Sequence, residues 1–285
     1  MSDGDTIDDH APTRTFWFHT AAVSHAGTVR SVNEDACLDR SDVGLWAVAD
    51  GMGGHEAGDY ASRMVMAALN RCIDPTMGAP TGREIRAALD GCNAALLDHA
   101  GRLGSAVVGS TAVVLTITGR RFSCAWAGDS RLYRARGGAF VQVTRDHSYV
   151  QQLIDSGVLD PSEAEGHAKS NVITRAVGAT DALVLDTVEG DVNHGDLFLL
   201  CSDGLTKTLA DLDISGALDT MGHSADGVAE AAGRLLDAAL ARGARDNVTL
   251  VLVLCEAVAG PLRTPPPAGD PQDGDPQDGD PTLTS

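Results

Sequence analysis

Apolar positions along the chain fall into two periodicities. Short runs rich in β-branched and aromatic side chains, at 16–23, 44–49, 111–118, 122–127, 183–188, 196–201 and 247–254, predict β-strands. Three other segments repeat at i, i+3 and i+4, the pattern of a helix with one buried face. The first runs through Ala57, Tyr60, Ala61, Met64, Val65, Ala68, Leu69, Cys72 and Ile73. The second carries Ile85, Ala88, Leu89, Cys92, Leu96 and Leu103, with His99 on its stripe as a packed side chain and not a ligand. The third carries Val228, Ala231, Ala232, Leu235, Leu236 and Ala239. The order is strands, two consecutive helices, strands, a loop-rich stretch at 145–180, two strands, helices and a last strand. Strands in blocks with helices in pairs favour antiparallel sheets covered by helices over an alternating parallel sheet.

The two ends lack this patterning. Residues 1–13 are polar and acidic, and 259–285 form an Asp/Pro/Gly-rich tail with a tandem Asp-Pro-Gln-Asp-Gly unit. Neither can bury enough apolar surface to offset chain entropy, so both are expected to be disordered around one folded domain at 14–258. The aspartates of the tail lack the ligand spacing of an EF-hand loop.

Charge narrows the function. With 21 basic and 40 acidic residues the formal net charge is −19, which would repel phosphate backbones and anionic lipid. Nucleic-acid and membrane partners are therefore not expected, and a site handling phosphate would need metal to offset its own carboxylates. The 6 cysteines are scattered singly, mostly in apolar runs, as buried thiols in a reducing compartment would be. The acidic start does not read as a secretory signal, and no run approaches the roughly 20 apolar residues that span a bilayer. A cytoplasmic monomer is expected.

The candidate chemistry lies in aspartates beside glycine at the ends of apolar strands: Asp50-Gly51, Gly128-Asp129 and Asp203-Gly204, with Asp246 just before the last strand. One such pair marks any turn. Several at the rims of core strands would repel one another if they converged, unless hard divalent cations bound between them. Oxygen-only ligation without a Cys/His cluster points to Mg²⁺ or Mn²⁺ and away from zinc. The carbonyl of Gly51, with no Cβ beside it, could approach such an ion. Arg30, four residues before Glu34, offers a guanidinium for bidentate contact with phosphate, or forms a surface salt bridge.

Eight blocks in order make this sequence resemble the metal-dependent Ser/Thr protein phosphatases of type 2C in their compact bacterial form. They are Arg30-Ser-Val-Asn-Glu34-Asp35, Asp50-Gly-Met-Gly-Gly-His55, Gly109-Ser-Thr111, Gly128-Asp-Ser-Arg131, Thr144-Arg-Asp-His147, Ile173-Thr-Arg-Ala-Val-Gly178, Cys201-Ser-Asp-Gly204 and Arg245-Asp-Asn-Val248. The resemblance implies an α+β fold, a four-layer α-β-β-α sandwich of two antiparallel sheets flanked by helix pairs, with a dinuclear Mn²⁺ or Mg²⁺ site at one end. It implies that Asp50 bridges both ions, that the Gly51 carbonyl binds one, and that Asp203 and Asp246 hold the other. Asp129 would share a third, weaker ion with Asp203, while Glu34 and Asp35 orient metal-bound water. Arg30 would hold the substrate phosphate, and 149–171 would be a mobile flap. The position two after the bridging aspartate is Met52, which cannot donate a proton, so His55 or a metal-bound water is the candidate acid.

The implied reaction is attack of a metal-bridging hydroxide on phosphoserine or phosphothreonine in proteins, opposing a bacterial Ser/Thr kinase. Two alternatives stand beside it: a silent binding module of the same fold, and a phosphatase for a sigma-factor antagonist. Asp211-Leu-Asp213 resembles a haloacid-dehalogenase nucleophile motif but follows a polar stretch. Neither Cys201 nor Cys124 has the arginine six residues on that a tyrosine-phosphatase loop needs.

Overall fold

All seven apolar runs carry strand structure in the computed structural model, which describes residues 15–54, 56–104, 107–164 and 166–258. The chain opens with β1 (Phe16–His25), β2 (Asp35–Arg40) and β3 (Leu45–Met52), then α1 (Glu56–Arg71) and α2 (Gly82–Leu103). Five strands follow: β4 (Gly109–Ser110), β5 (Ala112–Thr118), β6 (Arg121–Ala127), β7 (Arg131–Arg136) and β8 (Ala139–Gln142). After the short α3 (Tyr149–Asp155) come β9 (Asp186–Asp191), β10 (Leu197–Cys201), α4 (Asp203–Thr206), α5 (Asp211–Asp219), α6 (Ala225–Ala241) and β11 (Val248–Ala257). The segments expected to be disordered, 1–13 and 259–285, lie outside the described residues, as does His55.

The strands build two antiparallel sheets, one in the order β1-β11-β10-β7-β8 and the other β2-β3-β5-β6-β9 with β4 on β3. Their facing sides bury Phe16, Trp46, Leu115, Phe198, Leu200 and Val251 in one layer of core. The outer face of the β3-containing sheet packs on α1 and α2 through Val65, Leu69, Leu89 and Leu96. That of the other sheet packs on α5 and α6 through Ile214, Val228 and Leu235. The result is the four-layer sandwich expected from the resemblance. Because both faces of the central strands are covered, β5 and β11 read as nearly unbroken apolar runs, while the edge strand β9 alternates.

Local signals mark the helix ends. Thr81 and Glu84 form a capping box at α2, with the Thr81 N–H donating to Glu84 Oε2 at 2.7 Å, and Gly104 ends that helix in the left-handed region at φ 61°. None of the 6 cysteines is disulfide-bonded. Burial raises the pKa of Cys92 to about 11 and that of Cys201 to about 12, so these thiols stay protonated and unreactive. Among the described residues no helix is long and apolar enough to cross a membrane.

Candidate active site

Strand register brings the acidic residues to one end of the sandwich. Asp35, the first residue of β2, lies opposite Asp50 near the end of β3. In the other sheet Cys201 of β10 pairs with Arg131 of β7. Asp203 lies two residues after that pair and Asp129 two before it, so both leave the sheet at the same end. Asp246 stands just before β11, whose Leu250 also pairs with Cys201. The side chains of Arg30, Glu34, Asp50, Asp129, Asp203, Lys207 and Asp246 converge with Gly51 on a groove of about 530 Å³. Asp35 lies buried beside it, and His55 falls outside the described residues.

Hydrogen bonds of the framework fix these positions. The Asp50 N–H donates to Thr111 Oγ1 at 2.9 Å, and its carbonyl accepts from the Thr111 N–H at 2.8 Å and from Ser110 Oγ at 3.0 Å. Asn247 Oδ1 accepts from the Glu34 N–H at 2.8 Å, while its Nδ2 donates to the carbonyls of Ala26 and Val32 at 3.1 and 2.9 Å. The loop carrying Arg30 and Glu34 is thereby tied to the start of β11. Ser202 Oγ donates to Asp35 Oδ2 at 2.7 Å. The His147 N–H donates to the Gly128 carbonyl at 2.9 Å and the ring Nδ1 accepts from the Gly128 N–H at 3.2 Å, pinning the turn into Asp129.

Two glycines permit close backbone approach. A Cβ on Gly51 would stand 2.0 Å from the Gly58 carbonyl oxygen in the first turn of α1. One on Gly204 would stand 1.9 Å from the Asn247 carbonyl oxygen. No side chain fits at either point. The glycine after Asp50 therefore serves the packing of α1 on β3, a role the sequence reading did not assign to it.

The electrostatics are those of an uncompensated acidic cluster. Burial, then the charges of Asp203, Asp35, Asp129 and Asp246, push Asp50 well above the usual carboxylate range. Burial foremost, with the charges of Asp203 and Asp246, raises Asp35 to about 7 against the opposing Ser202 hydrogen bond. Burial and Asp203 likewise raise Asp129 to about 7, with Lys207 acting the other way. Asp35 Oδ1 and Asp203 Oδ1 are buried with no hydrogen-bond partner. Orphaned carboxylate oxygens inside a ring of carboxylates are what hard divalent cations satisfy, so the donor set fits Mg²⁺ or Mn²⁺.

Among the described residues no three His, Cys, Asp or Glu side chains already close on one point at ligand distance. Two basic side chains occupy the outer carboxylates instead. Arg30 grips Asp246 with both ends of its guanidinium, Nε to Oδ1 and Nη2 to Oδ2, each at 3.0 Å. Lys207 Nζ donates to Asp203 Oδ2. Burial alone would lower the Lys207 pKa, but Asp203, Asp129 and Asp50 outweigh it and raise it. Sequence reasoning missed Lys207, whose signal is the i, i+4 spacing from Asp203. It also missed the individual roles of Ser202, Asn247 and His147. Asp211 and Asp213 lie elsewhere, at the start of α5, where Asp213 pairs with Arg242 at 2.6 Å.

The chain matches the profile of the protein phosphatase 2C family over residues 24–243. It is 37% identical over 233 residues to the serine/threonine protein phosphatase PstP of Mycobacterium tuberculosis, covering 81% of this chain and 44% of that protein, so it spans less than half of that relative's length. PppA of Pseudomonas aeruginosa, described as a key regulatory component of T6SS, superposes with a TM-score of 0.75 at 42% identity, covering 84% of this chain and 98% of that one. The catalytic domain of PstP in complex with two manganese ions superposes with a TM-score of 0.75 at 34% identity, covering 85% of this chain and 100% of that one.

Proposed function

The chain belongs to the protein phosphatase 2C family, and from that premise we propose that it is a metal-dependent phosphatase hydrolysing phosphoserine and phosphothreonine in proteins. The observation that carries this reading is the meeting of Asp50, Asp129, Asp203 and Asp246 in one groove, with orphaned oxygens on Asp203 and on the adjoining Asp35. Asp50 and the Gly51 carbonyl would hold one ion, and Asp50, Asp203 and Asp246 the other. When bound, two Mn²⁺ or Mg²⁺ ions supply Lewis acidity, making a water nucleophilic near neutral pH and offsetting phosphoryl charge.

The remaining work falls to the chain itself. Asp35, oriented by Ser202 beside the groove, and Glu34, whose backbone is held by Asn247, would accept hydrogen bonds from water bound there. Arg30 binds the substrate phosphate. Its bidentate grip on Asp246 has the geometry it would use on two phosphate oxygens, so the role requires it to exchange one anion for the other. The groove is open enough for a phosphorylated side chain on a protein surface, and the 149–171 segment, joined at its base by a Ser148–Ile173 bridge, supplies Asn171 to the wall. This segment is the flap of the proposal, and His55 its acid for the leaving alkoxide.

Convergence of Asp50, Asp129, Asp203 and Asp246 on one groove speaks against a silent binding module. The partners proposed are phosphorylated proteins and the Ser/Thr kinase that modifies them, met by a monomer in the cytoplasm. Replacing Asp50 or Asp203 with alanine should lower Mn²⁺-dependent turnover of a phosphothreonine peptide by at least about 10²-fold; undiminished turnover contradicts the site. His55→Ala should slow phosphopeptide turnover more than that of an activated aryl phosphate, whose leaving group needs no proton. Equal losses on both remove the acid role.

A further inference from the structure

Asp203 divides its two oxygens between different tasks. Oδ1 is buried and has no hydrogen-bond partner, whereas Oδ2 is held by the ammonium of Lys207. Lys207 caps the single turn of α4 that begins at Asp203, so a four-residue spacing along one helical turn sets the pair. Its ammonium lies where the catalytic groove meets a second cavity of about 360 Å³ beneath the 149–171 segment; Asp129, Asn171, Asp203 and Lys207 line both spaces.

We infer that Lys207 is a built-in cation filling the Asp129–Asp203 side of the acidic cluster, so that this chain takes two divalent ions there and not a third. The inference rests on the proposed binding of divalent ions by the cluster. A third ion shared by Asp129 and Asp203 would have to take Oδ2 from an ammonium tethered four residues away, and then tolerate that like charge beside it. Arg30 offers a contrast. Its side chain is 53% exposed and it takes both oxygens of Asp246, so an ion arriving at Asp246 must displace it, and it can swing out into solvent. The Lys207 side chain is 36% exposed and takes only one oxygen of an Asp203 side chain that is 13% exposed. An ion can therefore bind Oδ1 while Lys207 stays. Lys207 is a positioning residue: it fixes the Asp203 carboxylate and excludes an ion, without touching the reacting atoms.

The test counts bound Mn²⁺ by equilibrium dialysis, carried to millimolar free ion, with circular dichroism to confirm folding. Wild-type protein and Lys207→Arg should each saturate at two ions. Lys207→Met should saturate at three, and adding Asp129→Asn to that variant should return the count to two. Asp129→Asn alone should leave it at two. Three ions on the wild type, two on a folded Lys207→Met, or a fall in the count on Asp129→Asn alone would overturn the inference. Should Lys207→Met not fold, Lys207→Gln takes its place and the Asp129→Asn count stands on its own. Asp50→Ala separates the two readings: a full Mn²⁺ count on that variant removes the metal cluster itself, whereas its loss together with three ions on the wild type removes only the role of Lys207.

Discussion

Asp50 sits among four other carboxylates, Asp203, Asp35, Asp129 and Asp246, whose charges add to burial in opposing its ionisation. This has a consequence for stability. Unfolded aspartate titrates near pH 4, whereas burial foremost, and the charge of Asp203 after it, pushes native Asp35 and Asp129 up to about 7. Between those values the native state holds more protons than the unfolded one, so these groups stabilise the metal-free protein at low pH and lose that contribution as pH rises to about 7. Carboxylates with lowered values, such as Asp42 beside Arg40, act below this window, whereas His147, lowered chiefly by burial, opposes the trend within it as one group against the three raised aspartates. In EDTA the melting temperature should therefore fall from pH 5 to pH 7.5. With saturating Mn²⁺ the trend should reverse, because protons then compete with the ion for the same oxygens. A melting temperature in EDTA that rises across this range contradicts the cluster's electrostatics. Asp50→Asn removes one repelling charge and should raise the metal-free melting temperature at pH 7.5 by roughly 2–8 °C while lowering turnover. The aspartates were legible in the sequence because each ends an apolar strand beside a glycine or in a short polar motif. Ser202 and Asn247 were not, because their partners lie in other strands and loops and only the fold selects them. The i, i+4 spacing of Lys207 from Asp203 marks a pair only once a helical turn is known to start there.

Elements were legible in proportion to how completely they are buried. The two-sided core strands β5, β10 and β11 and the striped helices α1, α2 and α6 announce themselves. The strands β2, β7 and β8 did not. In β7 three of the six residues are arginine, and two of them carry tertiary ion pairs, Arg131 with Asp146 at 2.7 Å and Arg136 with Asp196. Its polarity therefore hides a strand lying inside a sheet. The short α5 was obscured by the polar residues at its start, and β9 begins after the apolar residues expected to open it, since Leu183 and Leu185 pack under the helices ahead of the strand. Close approach between elements gives a paired prediction. Gly204→Ala forces α4 away from β11 and should cost about 1–3 kcal/mol or more and weaken Mn²⁺ binding. Gly91→Ala, in the interior of α2 with open space around it, should stabilise by about 0.5–1 kcal/mol and leave binding unchanged. Chemical denaturation with and without Mn²⁺ distinguishes the two; equal effects would remove the claimed coupling.

At the scale of the whole molecule, the site exists only while the two sheets stay stacked, since Asp50 lies on β3 of one sheet while Asp203 follows β10 and Asp246 precedes β11 of the other. Phe198 is fully buried between them, its ring 5.2 Å from that of Phe122. Phe198→Ala should cost about 3–5 kcal/mol, and bound Mn²⁺ should recover part of that loss by favouring the assembled state. A melting temperature insensitive to Mn²⁺ would show that the ions do not bridge the sheets. The most direct test of the account is anomalous diffraction at the manganese edge from a crystal grown with Mn²⁺. It should show two peaks about 3.5–4 Å apart, enclosed by Asp50, Asp203 and Asp246 in the groove. Peaks elsewhere, or none between these carboxylates, would contradict it.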